Sequence, residues 1–411
     1  MIAPTLLEAS LAADCRPLRQ WNILREVALS GRVDVGRLRS ALHQAACIHP
    51  LSRARRLADR AGGWVWGIAD DVPGELLRVV DTATLGTDAV LRELQSERLY
   101  PVASPAFRCI VVRGPTADRM LFNFCHERTD GIGAMAFLAS VQRSYSGEAD
   151  PARGVDWIDR RYVGGAILHT RAAWPGLIQH EPIDHLAPEV DRALSSHDTH
   201  IVNTTVSDVE ALALRRAAQG VTITHQVVAA MSIACDQWNS ARGRSPGRIC
   251  IAVPVNARPD AWAMQGFMGR FGTLFVNTAP GERTDINTAS RSVAEQVRHM
   301  IPIAKDAADS LARPAPLAIV PTEPAAPIPE SFIPTAAVSS LGAWRLPAFG
   351  RAGQVLDVWA PPLAQEPMAV ALGVLGMRGG VRLSFRFAAS MIGGDGGLQF
   401  AQMVRELLLV R

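Results

Sequence analysis

Cys125-His126-Glu127-Arg128-Thr129-Asp130-Gly131 is the stretch of this sequence that says most about its fold. The apolar residues 120–124 before it are typical of a buried strand, and the small and apolar residues 132–138 after it are typical of a helix. An Asp-Gly pair suits a helix start, because an aspartate accepts hydrogen bonds from the free N–H groups there. The stretch therefore predicts one imidazole, that of His126, held where a strand passes into a helix and able to act as a base.

The pattern His-x-x-x-Asp-Gly, formed by His126, Asp130 and Gly131, resembles the signature of the CoA-dependent acyltransferase superfamily. That superfamily includes chloramphenicol acetyltransferases and the condensation domains of peptide synthetases. Its usual signature has two adjacent histidines, and Cys125 stands where the first would be. The second histidine, which carries the chemistry in the superfamily, matches His126.

Other segments resemble further parts of the same superfamily, in the same order along the chain. They are residues 31–55, 220–230, 253–259, 272–280, 338–342 and 380–385. The resemblance implies an α/β fold of two chloramphenicol-acetyltransferase-like halves, each a mixed β-sheet flanked by helices, with a tunnel at their interface. We expect residues 1–180 to form the N-terminal half, which carries the motif, and residues 181–411 to form the C-terminal half.

The resemblance also implies roles for individual residues. His126 would be the general base, and Asp130 and Gly131 would support the loop that carries it. The superfamily's aspartate is held by an arginine from the second half, and Arg258 is the matching candidate. Asp130 also has a second interpretation, as a catalytic group in its own right. Ser340 is a candidate for an oxyanion or substrate contact.

Cys125 invites another interpretation, in which it is a nucleophile activated by the neighbouring His126. Adjacent side chains on a strand point to opposite faces, so the two could not work as a pair there. The sequence therefore favours a histidine base without a covalent enzyme intermediate.

The implied reaction moves an acyl group from a CoA or carrier-protein thioester to a hydroxyl or amine acceptor, in secondary metabolism or in lipid ester synthesis. Acyl-CoA or a phosphopantetheinyl carrier protein, acyl or peptidyl, would be the co-substrate, with no tightly bound cofactor and no metal. We expect a free-standing enzyme. The alternative is a catalytically degenerate condensation-like protein that binds carrier-tethered intermediates as a scaffold. The cysteine at position 125 and the charged pair Glu127-Arg128 leave that alternative open.

Composition limits the classes of partner. The balance of 42 basic against 39 acidic residues, a net charge of +3, argues against nucleic acid. Six cysteines without a Cys-x-x-Cys pair suggest a reducing compartment. No uninterrupted apolar run reaches the ~18 residues of a membrane-spanning helix. We therefore expect a cytoplasmic protein without a membrane span, whose partners are a thioester donor and a small-molecule acceptor.

Local patterns predict several elements that can be checked directly. Residues 107–113 and 120–124 should form an antiparallel pair of strands. Thr224 is expected to cap the helix that follows it. Residues 381–387 alternate apolar and polar side chains, which predicts a half-exposed strand. Seven prolines in residues 314–334 predict an extended surface loop.

Overall fold

A computed structural model of the chain describes most of its residues. They are residues 2–14, 22–58, 63–71, 75–81, 87–97, 99, 102, 105–156, 182–189, 199–217, 220–259, 266–313, 333–364 and 366–409. The strands within these residues are β1 (Asn22–Leu29), β2 (Ala54–Ala58), β3 (Trp64–Ile68), β4 (Leu77–Asp81), β5 (Phe107–Arg113), β6 (Asp118–Cys125), β7 (Thr199–Ser207), β8 (Ile249–Asn256), β9 (Phe271–Thr278), β10 (Ala336–Ala343), β11 (Val355–Trp359), β12 (Val370–Met377) and β13 (Gly380–Ala388). The helices are α1 (Leu6–Asp14), α2 (Val35–Ile48), α3 (Thr87–Ser96), α4 (Gly131–Ser146), α5 (Asp208–Ala217), α6 (Ile223–Ser240), α7 (Ile286–Leu311) and α8 (Gly394–Leu409).

The first sheet has five strands in the order β11-β1-β6-β5-β4. Strands β5 and β6 pair antiparallel, with Phe107 opposite Phe124, which confirms the predicted pair. Strand β4 joins β5 in parallel, so the sheet is mixed. Apolar side chains of α2 and α4 pack on one face of the sheet, and those of α3 pack on the other. Because β6 leads into α4, the motif lies at the end of this sheet.

The second sheet has six strands in the order β7-β13-β12-β10-β8-β9. Strand β10 runs parallel to β12 and β8, while the remaining neighbours are antiparallel. Helices α6, α7 and α8 contribute to its core, where the rings of Trp238 and Phe400 lie 5.7 Å apart. Two mixed sheets, each flanked by helices and each with its own apolar core, confirm the predicted α/β fold class.

Strand β11 joins the first sheet although it follows β10 of the second sheet along the chain. It pairs with β1, and Glu26 lies opposite Trp359. The C-terminal part of the chain thus completes the edge of the N-terminal sheet. The division into residues 1–180 and 181–411 remains a prediction, since residue 180 lies outside the described part of the chain.

Strand β13 is buried along its whole length, so the prediction of a half-exposed strand was wrong. Its polar side chains face other protein groups instead of water. Arg382 Nε donates to Asp357 Oδ1 at 2.5 Å, and Arg386 Nη1 donates to Asn22 Oδ1 at 3.1 Å. Both acceptors belong to strands of the first sheet. The alternating pattern therefore marks a polar interface between the two sheets.

Helix α6 begins at Ile223, whereas a cap at Thr224 would have made His225 its first residue. Thr222 is the N-cap: its hydroxyl accepts from the His225 amide, and His225 Nδ1 accepts from the Thr222 amide, both at 3.2 Å. The prediction that Thr224 caps this helix was wrong. Thr224 lies in the first turn, and its side chain points towards β10.

The remaining expectations concern the proline-rich segment and membrane-spanning helices. Most of the proline-rich segment, residues 314–332, lies outside the described residues, so its expected extended loop stays a prediction. None of the helices in the described residues is long and apolar enough to cross a membrane.

Candidate active site

The motif forms a short turn between a buried strand and a capped helix. Strand β6 ends at Cys125, and the Arg128 amide donates to the Cys125 carbonyl at 3.1 Å, which starts the turn. Cys125 itself is buried, and burial raises the pKa of its thiol to about 11. The thiol is therefore protonated near neutral pH and is a poor nucleophile.

The His126 side chain lies in this turn and is partly buried. Its ring centroid is 5.8 Å from that of Phe271, the first residue of β9 in the second sheet, so the imidazole sits where the two halves meet. Burial lowers the pKa of His126 below its ordinary value, and backbone hydrogen bonds and the charge of Asp130 act in the opposite direction. The neutral ring that results near neutral pH is the form that can accept a proton.

Asp130 is the N-cap of α4 and is buried. Its Oδ1 accepts hydrogen bonds from the Gly133 amide at 2.7 Å and from Arg258 Nη2 at 2.8 Å. Its Oδ2 accepts from Arg258 Nη1 and from the Arg270 amide, each at 2.8 Å. Burial alone would raise the pKa of Asp130, but the charge of Arg258 and these hydrogen bonds hold it below its ordinary value. Protein donors thus occupy both oxygens, which favours the structural interpretation of this carboxylate over the catalytic one.

Arg258 reaches the motif from the second half, two residues after β8 ends. Besides its bidentate contact with Asp130, its Nη2 donates to the Met268 carbonyl at 2.7 Å. The same carbonyl accepts from the Asp130 amide at 3.3 Å. A bidentate arginine–carboxylate pair fixes orientation as well as distance. The loop around Met268 and the turn that carries His126 are therefore held together as one unit.

Two glycines allow this close approach. A Cβ added at Gly133 would lie 2.2 Å from Thr129 Oγ1 and 3.0 Å from the backbone N of Met268. A Cβ added at Gly131 would lie 2.8 Å from Leu341 Cδ2. Groups of both halves fill the space that these glycines leave, and among them Met268 and Leu341 bring the 266–270 loop and the end of β10 against the start of α4.

Ser340 lies on β10, immediately before Leu341, and is partly buried. Its hydroxyl is 2.9 Å from that of Thr224 at the start of α6. The structure thus brings His126, Asp130, Gly131 and Arg258 together, and it places Ser340 on the strand whose next residue touches Gly131.

The charged pair within the motif points into the protein. Glu127 and Arg128 are 2% and 0% exposed. Glu127 forms an ion pair with Arg56 on β2, and the Arg128 guanidinium lies over the ring of Trp66 on β3, 5.5 Å from its centroid. Trp66 Nε1 in turn donates to Glu8 Oε2 at 2.8 Å. The paired strands β2 and β3, together with α1, therefore pack against the motif turn.

The sequence did not predict two contacts at the site. Arg25 on β1 donates to the Gly131 carbonyl at 3.1 Å, and the Arg270 amide binds Asp130. An arginine within a strand that is mainly apolar is a weak signal that could have singled out Arg25. A backbone contact such as that of Arg270 leaves no signal in the sequence. Within the described residues, no group of three or more histidine, cysteine or acidic side chains could hold a metal ion.

Comparison with known proteins gives one relative that covers nearly the whole chain and one that covers about half of it. No family model matches the chain. The uncharacterized protein Rv2305 of Mycobacterium tuberculosis is 29% identical over 415 residues, which cover 93% of this chain and 94% of that protein. Malformin synthetase mlfA of Aspergillus niger is 22% identical over 218 residues, 51% of this chain but only 4% of that synthetase.

Solved structures match along nearly the entire chain. The condensation domain of the Monacolin K polyketide synthase MokA has a TM-score of 0.71 at 14% identity, covering 99% of this chain and 96% of that one. A mutant of the starter condensation domain of rhizomide synthetase RzmA, in complex with C8-CoA and Leu-SNAC, has a TM-score of 0.70 at 14% identity, with 99% and 94% covered. The X-domain from teicoplanin biosynthesis has a TM-score of 0.65 at 17% identity, with 99% and 94% covered.

The chain therefore has the two-lobed fold of condensation domains. Epimerization and condensation domains at 14–15% identity match this fold over 99% of the chain.

Proposed function

We propose that this protein is an acyltransferase that moves an acyl group from a thioester to a hydroxyl or amine acceptor, with His126 as general base. The observation that carries the proposal is the position of His126 between the two halves, in a turn that Asp130 and Arg258 lock in place. A fixed, neutral imidazole at a two-lobe junction is suited to general-base catalysis.

The proposed step is a direct transfer. His126 takes the proton of the acceptor O–H or N–H as that atom attacks the thioester carbonyl carbon. A tetrahedral intermediate forms, its C–S bond breaks, and the imidazolium returns the proton to the departing thiolate. Ester or amide and free thiol are the products, and no redox partner is needed. Asp130 and Arg258 position the turn, and Ser340 is a candidate to contact the oxyanion or the substrate.

The donor is acyl-CoA or an acyl or peptidyl carrier protein. Support for a CoA donor comes from the RzmA domain, whose structure with C8-CoA shows that this fold can hold such a molecule. We place the reaction in the cytoplasm, in secondary metabolism or lipid ester synthesis. Genes for carrier proteins or peptide synthetases beside the gene for this chain would favour the carrier-protein donor.

Thioester consumption tests the proposal. Wild-type protein and His126→Ala are compared with a panel of acyl-CoAs and amine or alcohol acceptors, and free thiol release is followed. We expect turnover by the wild type and a loss of about 10²- to 10⁴-fold in the variant, the usual contribution of a general base. Wild-type turnover that survives the substitution would overturn the mechanism.

A second candidate function is a scaffold that binds carrier-tethered intermediates without turnover. Two observations favour it: Cys125 stands at the position of the usual first histidine, and a structure of similar fold is a complex of the X-domain with OxyB from teicoplanin biosynthesis. Binding of a phosphopantetheinyl carrier protein, measured by calorimetry, separates the candidates. Carrier binding that His126→Ala leaves unchanged, without thiol release by the wild type, would support the scaffold.

A further inference from the structure

Arg25 is a buried cation beside the motif. The proposed acyl transfer gives this side chain no role. Its side chain lies on β1 among apolar neighbours on the same face, Ile23 and Val27, and the residue is 4% exposed. Its Nη1 donates to the Leu24 carbonyl at 2.6 Å, and its Nη2 donates to the Gly131 carbonyl at 3.1 Å. These two carbonyls are neutral acceptors, so they do not balance its charge.

No carboxylate among the described residues forms an ion pair with Arg25, and its buried Nε has no hydrogen-bond partner there. Asp130 attracts it from beyond ion-pair distance, but the oxygens of that carboxylate are held by Arg258 and by backbone amides. Burial lowers the pKa of Arg25 to about 9, so the side chain stays charged near neutral pH. A buried charge without a charged partner is costly, which makes an anionic ligand the natural partner.

The guanidinium lies at the junction of the two halves. A Cβ added at Gly131 would lie 3.2 Å from Arg25 Nη2 and 2.8 Å from Leu341 Cδ2, so β1, β10 and the start of α4 meet at this point. Ser340 precedes Leu341 on β10, and the charge of Arg25 acts on the pKa of His126. The first turn of α4 adds the partial positive charge of a helix N-terminus. Arg25 therefore adds a positive charge close to the proposed base, beside the negative charge of Asp130.

We propose that Arg25 binds a carboxylate of the acceptor, so that the acceptor is an amino acid or hydroxy acid with its nucleophile directed to His126. This proposal rests on the proposed function, which supplies both the acceptor and the role of His126 as its base. Guanidinium groups bind carboxylates through strong charge-assisted hydrogen bonds, and the Nε of Arg25 is available for one. A bound carboxylate would supply the charge partner that none of the described residues provides.

Calorimetric titration with matched product analogues tests the carboxylate site without any turnover. The probes are N-acylglycines with acetyl, octanoyl and dodecanoyl chains, each paired with its N-acylglycinamide, which lacks the negative charge. We expect the wild type to bind the acid at least about tenfold more tightly than the amide for one or more chains. R25M should lose this preference, whereas R25K, which keeps the charge, should retain part of it.

Three results would overturn the site: equal binding of acid and amide by the wild type, no binding of either, or an acid preference that persists in R25M. Circular dichroism verifies the fold of each variant, and R25Q replaces R25M if the methionine variant is unfolded. The test is separate from thiol release. An acid preference without thiol release would contradict the proposed reaction but support the carboxylate site. Thiol release without an acid preference would support the reaction but contradict the site.

Discussion

Arg258 donates from both of its terminal nitrogens to Asp130, Nη1 to Oδ2 and Nη2 to Oδ1, each at 2.8 Å. The pair joins the two halves of the molecule, because Asp130 caps α4 on the first sheet and Arg258 follows β8 of the second. Their side chains are 5% and 0% exposed, so water cannot substitute for either partner. The position of His126 relative to the second half therefore depends on this contact.

Asp130→Ala should lower the free energy of unfolding by ~3–5 kcal/mol, because Arg258 is left buried without its partner and α4 loses its cap. Chemical denaturation measures the change, and the soluble yield should fall with it. D130A/R258M should recover much of the loss, since methionine removes the buried charge. A D130A variant with wild-type stability and a reduced rate would instead assign Asp130 a catalytic role.

Gly133→Ala should lower the free energy of unfolding by ~1–3 kcal/mol through overpacking. The added Cβ would lie 2.2 Å from Thr129 Oγ1 and 3.0 Å from the Met268 backbone, which has little freedom to move. Gly281→Ala is the matched control, because nothing lies within 4 Å of a Cβ there, and its effect should stay within ~0.5 kcal/mol. Equal effects of the two substitutions would show that the motif turn is not tightly packed.

How well the sequence predicts this site depends on how local each contact is. The turn at His126 could be predicted because its signals, an apolar strand and an Asp-Gly helix start, lie within a few residues of it. Arg258 was matched only through the resemblance to a family. Arg25 and Arg270 lie 106 and 140 residues from the groups they bind, and nothing in their own neighbourhood indicates those contacts.

The wrong predictions have the same origin. The alternation in β13 correctly indicates a strand with one polar face, but it cannot tell whether that face meets water or another polar surface. Here Arg386 meets Asn22 of the first sheet. Thr222 and Thr224 are equally good caps by residue type, and the choice between them depends on where the backbone becomes helical.

Glu127→Gln should lower the free energy of unfolding by ~1–3 kcal/mol, because it removes the buried charge of the ion pair between Glu127 and the partly buried Arg56. Glu93→Gln is the control. Its partner is Arg78, and both side chains are about half exposed, at 51% and 45%, so the expected change is ~0–1 kcal/mol. Thermal or chemical denaturation of both variants measures the difference. A smaller effect for E127Q than for E93Q would contradict the buried contact.

The pH dependence of kcat/KM should show an acid limb below pH ~6.5, the ordinary pKa of histidine. Burial holds the pKa of His126 below that value, so the ring gains its proton, and activity is lost, only as the pH falls through the lower folded-state pKa. Rates measured across the acidic range with a saturating donor test this. An acid limb centred above pH ~6.5 would mean that another group controls the rate.

Acyl transfer in a single turnover by His126→Ala and Cys125→Ala, measured side by side, tests the central claim most directly. The account predicts that H126A loses about 10²- to 10⁴-fold in the rate of ester or amide formation, and that C125A stays within about tenfold of the wild type. This follows because the Cys125 thiol is buried and its pKa is raised to about 11. A C125A variant without activity beside an H126A variant that still forms product would contradict it.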